Sequence, residues 1–434
     1  MKNMKNLLER FFHSQTTGAL VLLVAAVIAV TWANSPWAEI YHRLSHMNLG
    51  LHLDGQQFTL SLGHWIKDGL MVIFFFVVGL EIKREAQVGE LSEPRKALLP
   101  MVAACGGAIV PALIYLFFNP SGEAMRGWGI PMATDIAFAL GVLALFGKRV
   151  PLGLKVFLTA LAIVDDLLAI LVIAFFYTAE INLYALAGAA ILLAVLSGFV
   201  RRKVYSSGVQ IPLVLGIWLC VLLSGIHATI AGVLVALVYP VKAAVKPEVF
   251  FETLKSRIHR AEVSREFQAE GDNRKQLRTI NQIYISVRDI VPAGIALEVS
   301  LHTIQAYLVL PLFALFAAGV TVDSAVLASI PDPVSMGVFL GLVVGKPIGI
   351  MLSSVLVVKT GMAKLGTGIT WPLLTGCSML AGVGFTMSIF IAELAFTDIN
   401  LINEAKLSIF AASIFSAMLG AFVLNLFLPK KKEA

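Results

Sequence analysis

Ala160-Leu161-Ala162-Ile163-Val164-Asp165-Asp166-Leu167-Leu168-Ala169-Ile170 sets two adjacent carboxylates inside a predominantly apolar run from Val156 to Tyr177. A run of about 20 such residues crosses the hydrocarbon core as a helix. One Asp at the centre of a spanning helix costs about 2.5 to 3.5 kcal/mol on insertion scales. Two side by side need a compensating role, and an ion or proton site supplies one.

Composition agrees with a membrane location. Hydrophobic residues make up 58% of the 434-residue chain and charged residues 14%, with a mean hydropathy of +0.85. These values exclude an ordinary soluble domain and predict an all-α polytopic membrane protein. Cys105, Cys220 and Cys377 all lie in apolar segments, so they read as packing residues and not as a disulfide framework. The stretch from Leu20 to Val30 with Ala33-Asn34-Ser35 has the outline of a cleavable signal, but the topology needs it as the first span.

Twelve transmembrane helices are expected, at about 18–34, 64–82, 98–118, 128–147, 152–177, 183–200, 209–223, 225–239, 302–320, 334–357, 372–395 and 405–428. Lys and Arg should then collect in alternate, cytoplasmic loops. The N-terminus, Lys83 to Lys96, Lys148 to Lys155, Arg201 to Lys203, the 240–292 loop, Lys359 with Lys364, and the tail Lys430 to Lys432 hold 28 of the 33 basic residues. Both termini therefore face the cytoplasm, and the net charge of +6 reflects orientation, with no nucleic acid implied. One transmembrane domain is expected over 1–434, with an outer β-hairpin at 48–63 and a cytoplasmic insertion at 241–291. The hairpin follows from alternating residues around Asp54-Gly55. An isolated hairpin is marginal, which points to pairing with a second copy; an ordered loop is the plain alternative.

Several spans carry unusual residues. Glu81-Ile82-Lys83-Arg84-Glu85 ends the second span with alternating charges, read first as an interfacial salt-bridge lattice and second as a pH sensor through Glu81 and Glu85. Asp68, at the other end of that span, is either solvated or part of an ion entrance. Pro131, Thr134 and Asp135 interrupt span four, so its helix should break at Ala133 to Asp135 and line a cavity. A proline kink with Thr134 bonded to its own helix is the alternative. His227 sits in a small-residue stretch, Ser224-Gly225-Ile226-His227-Ala228-Thr229, and reads more readily as structural than as proton-carrying. Lys346 is too far from either end of span ten to snorkel, so Asp135, Asp165 or Asp166 should pair with it. Gly382-Val383-Gly384-Phe385-Thr386 marks a second interruption, in span eleven, with close helix packing through the glycines as the plain alternative. Two interrupted segments, one per half of the chain, point to inverted-topology repeats, and Asp135 and Lys346 have the signs to offset positive and negative helix ends.

Ala133-Thr134-Asp135-Ile136-Ala137-Phe138-Ala139-Leu140-Gly141, Ala162-Ile163-Val164-Asp165-Asp166-Leu167, Gly225-Ile226-His227-Ala228-Thr229, Gly345-Lys346-Pro347 and Gly384-Phe385-Thr386-Met387-Ser388 closely resemble the NhaA family of bacterial sodium/proton antiporters. The resemblance runs over nearly the whole chain in motif order. It implies twelve helices, with broken helices four and eleven crossing, and an inner-membrane homodimer joined partly through the outer hairpin. It implies export of sodium, and of lithium, in exchange for protons, with roles in pH homeostasis and salt tolerance and no cofactor. Asp166 would be the principal sodium ligand and Asp165 a second carrier able to pair with Lys346. Thr134 would sit nearby, and Asp135 would serve electrostatics at the crossing. The chain departs from the family at Ala317, where Asn is usual, at His302-Thr303-Ile304, where His-Pro-Trp is usual, and in the length of the 241–291 insertion.

The residues support the same chemistry. Sodium is a hard cation that takes oxygen ligands, and neighbours on a helix point about 100° apart, so the two carboxylates can take different roles on one cavity wall. Burial favours the protonated form of a carboxyl group and a nearby cation favours the anion, so proton and sodium compete for one charge site. An organic-anion symporter is disfavoured by the paired aspartates. An intramembrane aspartyl protease needs carboxylates facing one another across helices, which adjacent positions on one helix cannot provide.

Overall fold

The computed structural model describes residues 15–53, 56–178, 181–243, 251–252, 255–256, 291–321 and 331–429. The Asp54-Gly55 turn and nearly all of the 241–291 insertion lie outside the described residues. Among the described residues, eight helices are long and apolar enough to cross a membrane, or nine if the bent pair Trp371–Ala381 and Phe385–Ala395 counts as one span. Three other apolar helices fall short for identifiable reasons. Leu70–Gln87 ends in four charged residues, Ser207–Leu223 has 17 residues and Ile230–Val238 has nine. Large apolar side chains such as Phe117, Phe175 and Leu183 are exposed on the outside of the bundle, as lipid-facing residues of a multi-pass membrane protein should be.

Several boundaries differ from those the sequence suggests. Helix was expected from 225, but Gly225 has φ +83° and Ile230–Val238 is the helix. The small residues before it form turns instead. Close helix approach is realised one turn further on. A Cβ on Gly232 would meet the Val72 carbonyl oxygen and, at 2.9 Å, the Phe76 nitrogen, which binds Ile230–Val238 to Leu70–Gln87. The ninth span begins at Ala293, nine residues earlier than the apolar run suggests, because Pro292 sets the first turn and Glu298 has a partner, Arg84.

The helices pack in two groups. In one, Pro94–Phe118 lies against Lys346–Lys359 and Leu152–Phe176, and Trp371–Ala381 and Pro333–Leu340 lie against Ile399–Phe427. Gly106 and Gly349 make the closest backbone approach there: a Cβ on either would strike the carbonyl oxygen of the other. In the second group Leu70–Gln87, Leu183–Arg201, Ser207–Leu223, Ile230–Val238 and Ala293–Ile304 pack on one another. Outside both, strands β1 (Asn48–Leu53) and β2 (Gln56–Ser61) pair antiparallel, Leu49 opposite Leu60.

Candidate ion-binding site

The site lies where two helices stop in mid-bundle. A 3₁₀ helix, Glu123–Met132, gives way at Ala133 and resumes as the α-helix Ile136–Ala144. Pro131 cannot donate to the preceding turn, and Asp135 in extended conformation caps the new helix. Trp371–Ala381 and Phe385–Ala395 meet at 45° around Gly382-Val383-Gly384. The two interruptions touch directly, since the Asp135 N–H donates to the Val383 carbonyl at 2.7 Å.

Each broken end has a partner of suitable sign. The Asp135 carboxylate accepts from the Phe138 N–H at 3.0 Å, from the Thr386 hydroxyl at 2.5 Å and from the Thr386 N–H at 3.2 Å. It thus serves two helix N-termini, each carrying about half a positive charge. The opposite ends present carbonyls. The Lys346 ammonium donates to the Met132 carbonyl, the last of its helix, and lies 2.9 Å from Asp165 Oδ2. Thr134 Oγ1 lies 2.9 Å from the Ala381 carbonyl, again the last of its helix, and 2.6 Å from the same Asp165 oxygen.

All of these groups are buried: Thr134, Asp135, Asp165, Asp166 and Lys346 are at most 3% exposed. Of the three candidate partners for Lys346, the structure selects Asp165. Thr134 bonds Asp165 and a carbonyl of the other broken helix, not its own helix and not Asp166. One hydroxyl proton faces two acceptors, Asp165 Oδ2 and the Ala381 oxygen, so a proton on Asp165 would satisfy both contacts. Asp165 Oδ1 is buried without a hydrogen-bond partner among the described residues. Asp166, one residue on, has no hydrogen bond or ion pair among the described residues; Asp165, Glu81, Asp135 and Lys346 act on it electrostatically. A buried carboxylate with open lone pairs is a place for a cation or a proton.

The comparisons bear on which. The family model described as Na+/H+ antiporter 1 matches residues 9–424. Na(+)/H(+) antiporter NhaA of Oleidesulfovibrio alaskensis is 44% identical over 432 residues, 98% of this chain and 94% of that protein. The chain belongs to the NhaA sodium/proton antiporter family. Na(+)/H(+) antiporter NhaA of Sulfurimonas denitrificans is 44% identical across 95% of this chain and 93% of its own, and NhaA 2 of Syntrophotalea carbinolica is 42% identical across 97% of each. These relatives are named as transporters and not as enzymes.

Other residues of this NhaA chain lie around the centre. A cavity of about 370 Å³ is lined by Glu81, Glu298, Gln305, Thr159, Ile136 and Ala137, so it reaches the helix that Asp135 caps. At its rim Arg84 joins Glu85 at 2.5 Å and Glu298 at 3.0 Å, and Lys83 donates to the Leu237 and Tyr239 carbonyls. Of the charges read there from the sequence, Arg84 and Glu85 pair with each other and Lys83 bonds carbonyls, while Glu81 forms no ion pair among the described residues; Glu298 is a member the sequence did not reveal. At the other end of the same helix, Asp68 pairs with His64 at 2.9 Å and lies 3.9 Å from His227, whose other ring nitrogen contacts Thr229 at 2.7 Å. Asp68 is therefore held by histidine side chains and not left to solvent alone. Ala317 is fully buried against the same core as Phe313 and Phe390.

Sequence reading missed one cluster. Glu393 Oε1 lies 2.6 Å from Lys67 and 2.7 Å from Lys406. A lone carboxylate in the apolar helix Phe385–Ala395, together with two lysines in or beside spans, was the available signal.

Proposed function

We propose that this protein exports sodium, and lithium, in exchange for protons across the bacterial inner membrane, moving net charge in each cycle. The observation that carries the proposal is the buried Asp166 carboxylate, without a hydrogen-bond partner among the described residues, beside the Asp165–Lys346 pair. Family membership and the relatives' names support sodium and protons as the exchanged ions. The architecture we infer is twelve helices in inverted-topology repeats, with the two broken segments crossing, both termini cytoplasmic and two copies joined partly through the β1–β2 hairpin.

Asp166 supplies the principal oxygen ligand to sodium, with Asp165 and the oxygens around Thr134 completing the cradle. When sodium binds, Asp165 and Asp166, or Asp166 and Lys346, give up protons. When protons return, sodium leaves, because charge of one sign in a dry site is tolerated only once. Coupling follows if the site changes facing only when occupied by one or the other. Two protons against one sodium ion make exchange respond to membrane potential as well as to pH. Glu81, Glu85 and His227 are the groups proposed to report pH to the site.

Asp166→Asn keeps the shape and removes the charge. Sodium-dependent collapse of a pH gradient in everted vesicles is expected to disappear in this variant while protein level is unchanged. A variant with wild-type flux would sink the assignment of Asp166.

A further inference from the structure

The cavity lined by Glu81 reaches the broken helices at Ile136 and Ala137. Outside its lining stands Phe390, 2% exposed, whose ring lies 5.7 Å from Phe75, 6.1 Å from Phe313 and 5.5 Å from the His227 ring. Phe75 and His227 belong to the second helix group and its edge, whereas Phe390 rides on the broken helix Phe385–Ala395. The rings thus pack the broken helix Phe385–Ala395 against Leu70–Gln87 and Leu310–Ala317.

One turn beyond Phe390, on the same face of its helix, stands Glu393. Its two lysines differ in origin. Lys406 comes from Ile399–Phe427, which packs against Phe385–Ala395. Lys67 comes from the Trp65–Gly69 π-turn that leads into Leu70–Gln87 and rests on Leu310–Ala317. Exposures follow the same division: the Lys406 side chain is 7% exposed, Glu393 13% and Lys67 27%.

We propose that the Lys67–Glu393 ion pair is a latch holding the Phe390 ring contacts closed, and that Lys406 is the resident counter-charge that lets them open. This rests on the exchange reading, in that an antiporter must open its site to each side of the membrane in turn. Parting a buried ion pair is costly because it strands a charge. Here, when the helix groups separate, Glu393 keeps Lys406, and Lys67 swings its ammonium to water on a four-carbon stem. The two lysines therefore have unequal roles although both touch the same oxygen.

The test compares Lys67→Met with Lys406→Met in detergent-purified and reconstituted protein. Hydrogen–deuterium exchange of peptides covering 385–398 reads these contacts without reference to any cargo. Lys67→Met is expected to speed uptake there at least threefold, and Lys406→Met to slow it or leave it unchanged. In proteoliposomes, sodium-dependent proton flux is expected to fall tenfold or more in Lys406→Met, where opening strands Glu393, and to persist in Lys67→Met. Equal deuterium uptake in the two variants, or flux lost alike in both, would make the cluster a static strut and overturn the latch. Absence of sodium-dependent flux in the wild type would overturn the exchange reading instead, and the deuterium comparison would still decide the latch.

Discussion

Asp135 holds Thr386 twice through one oxygen, by the hydroxyl at 2.5 Å and by the backbone N–H at 3.2 Å. The two residues are 251 positions apart and open the resumed halves of two different broken helices. Thr386→Val removes one of these donors and leaves the other. A loss of about 1 to 3 kcal/mol is expected, read as a lower melting temperature in detergent, and Thr386→Ser should recover it. Asp135→Ala, which uncovers both N-termini, should cost more than Thr386→Val; the reverse order would show that the carboxylate does not bind the breaks together.

Lys346 and Asp165 are each expected to be costly to lose alone. A buried charge left without its partner destabilises by about 3 to 5 kcal/mol. Lys346→Met with Asp165→Asn removes both charges, so the double variant should melt above the sum of the single losses. Additive losses would mean that the 2.9 Å pair carries little coupling.

Competition between sodium and protons has a defined signature. Where the site is protonated, each released proton raises the half-saturating sodium concentration about tenfold per unit fall in pH. A plot of its logarithm against pH should therefore have a slope of about −1 for one proton, steepening toward about −2 for two. Flux that loses maximal rate at low pH with half-saturation unchanged would place the proton elsewhere than on the sodium site.

Gly232 is expected to tolerate nothing larger. Any side chain there meets backbone of Leu70–Gln87, which cannot yield as a flexible side chain would. Gly232→Val should sharply reduce the yield of monodisperse protein, and a normal elution profile would show that the two helices have room to separate.

The centre of the site was legible in sequence because membrane burial makes charge conspicuous. Asp165, Asp166, Asp135 and Lys346 stand out from apolar surroundings, and Pro131 marks where a helix must stop. The partners of these residues were not legible. Met132 and Ala381 enter through backbone carbonyls, which every residue has, and Thr386 was one hydroxyl among several. Glu393, Lys67 and Lys406 were invisible as a cluster, since nothing local joins positions 326 residues apart. The start of the ninth span was misplaced because Glu298 counts as polar until its Arg84 partner is known. A further charge pattern of that kind, in which tertiary pairing cancels polarity, is what hydropathy alone cannot reveal.

The contact between Gly106 and Gly349 has a consequence for descent. When two side chains crowd each other, a change at one can be relieved by a smaller residue at the other, and lineages drift through such compensations. Here each residue would strike backbone, and glycine has no side chain left to surrender. No substitution at the opposite position can rescue a change at either. Selection for second-site revertants of Gly349→Ala should therefore return true revertants or changes that separate the whole helices, and the interface bearing Lys346 should diversify more slowly than the lipid-facing sides of the same two helices.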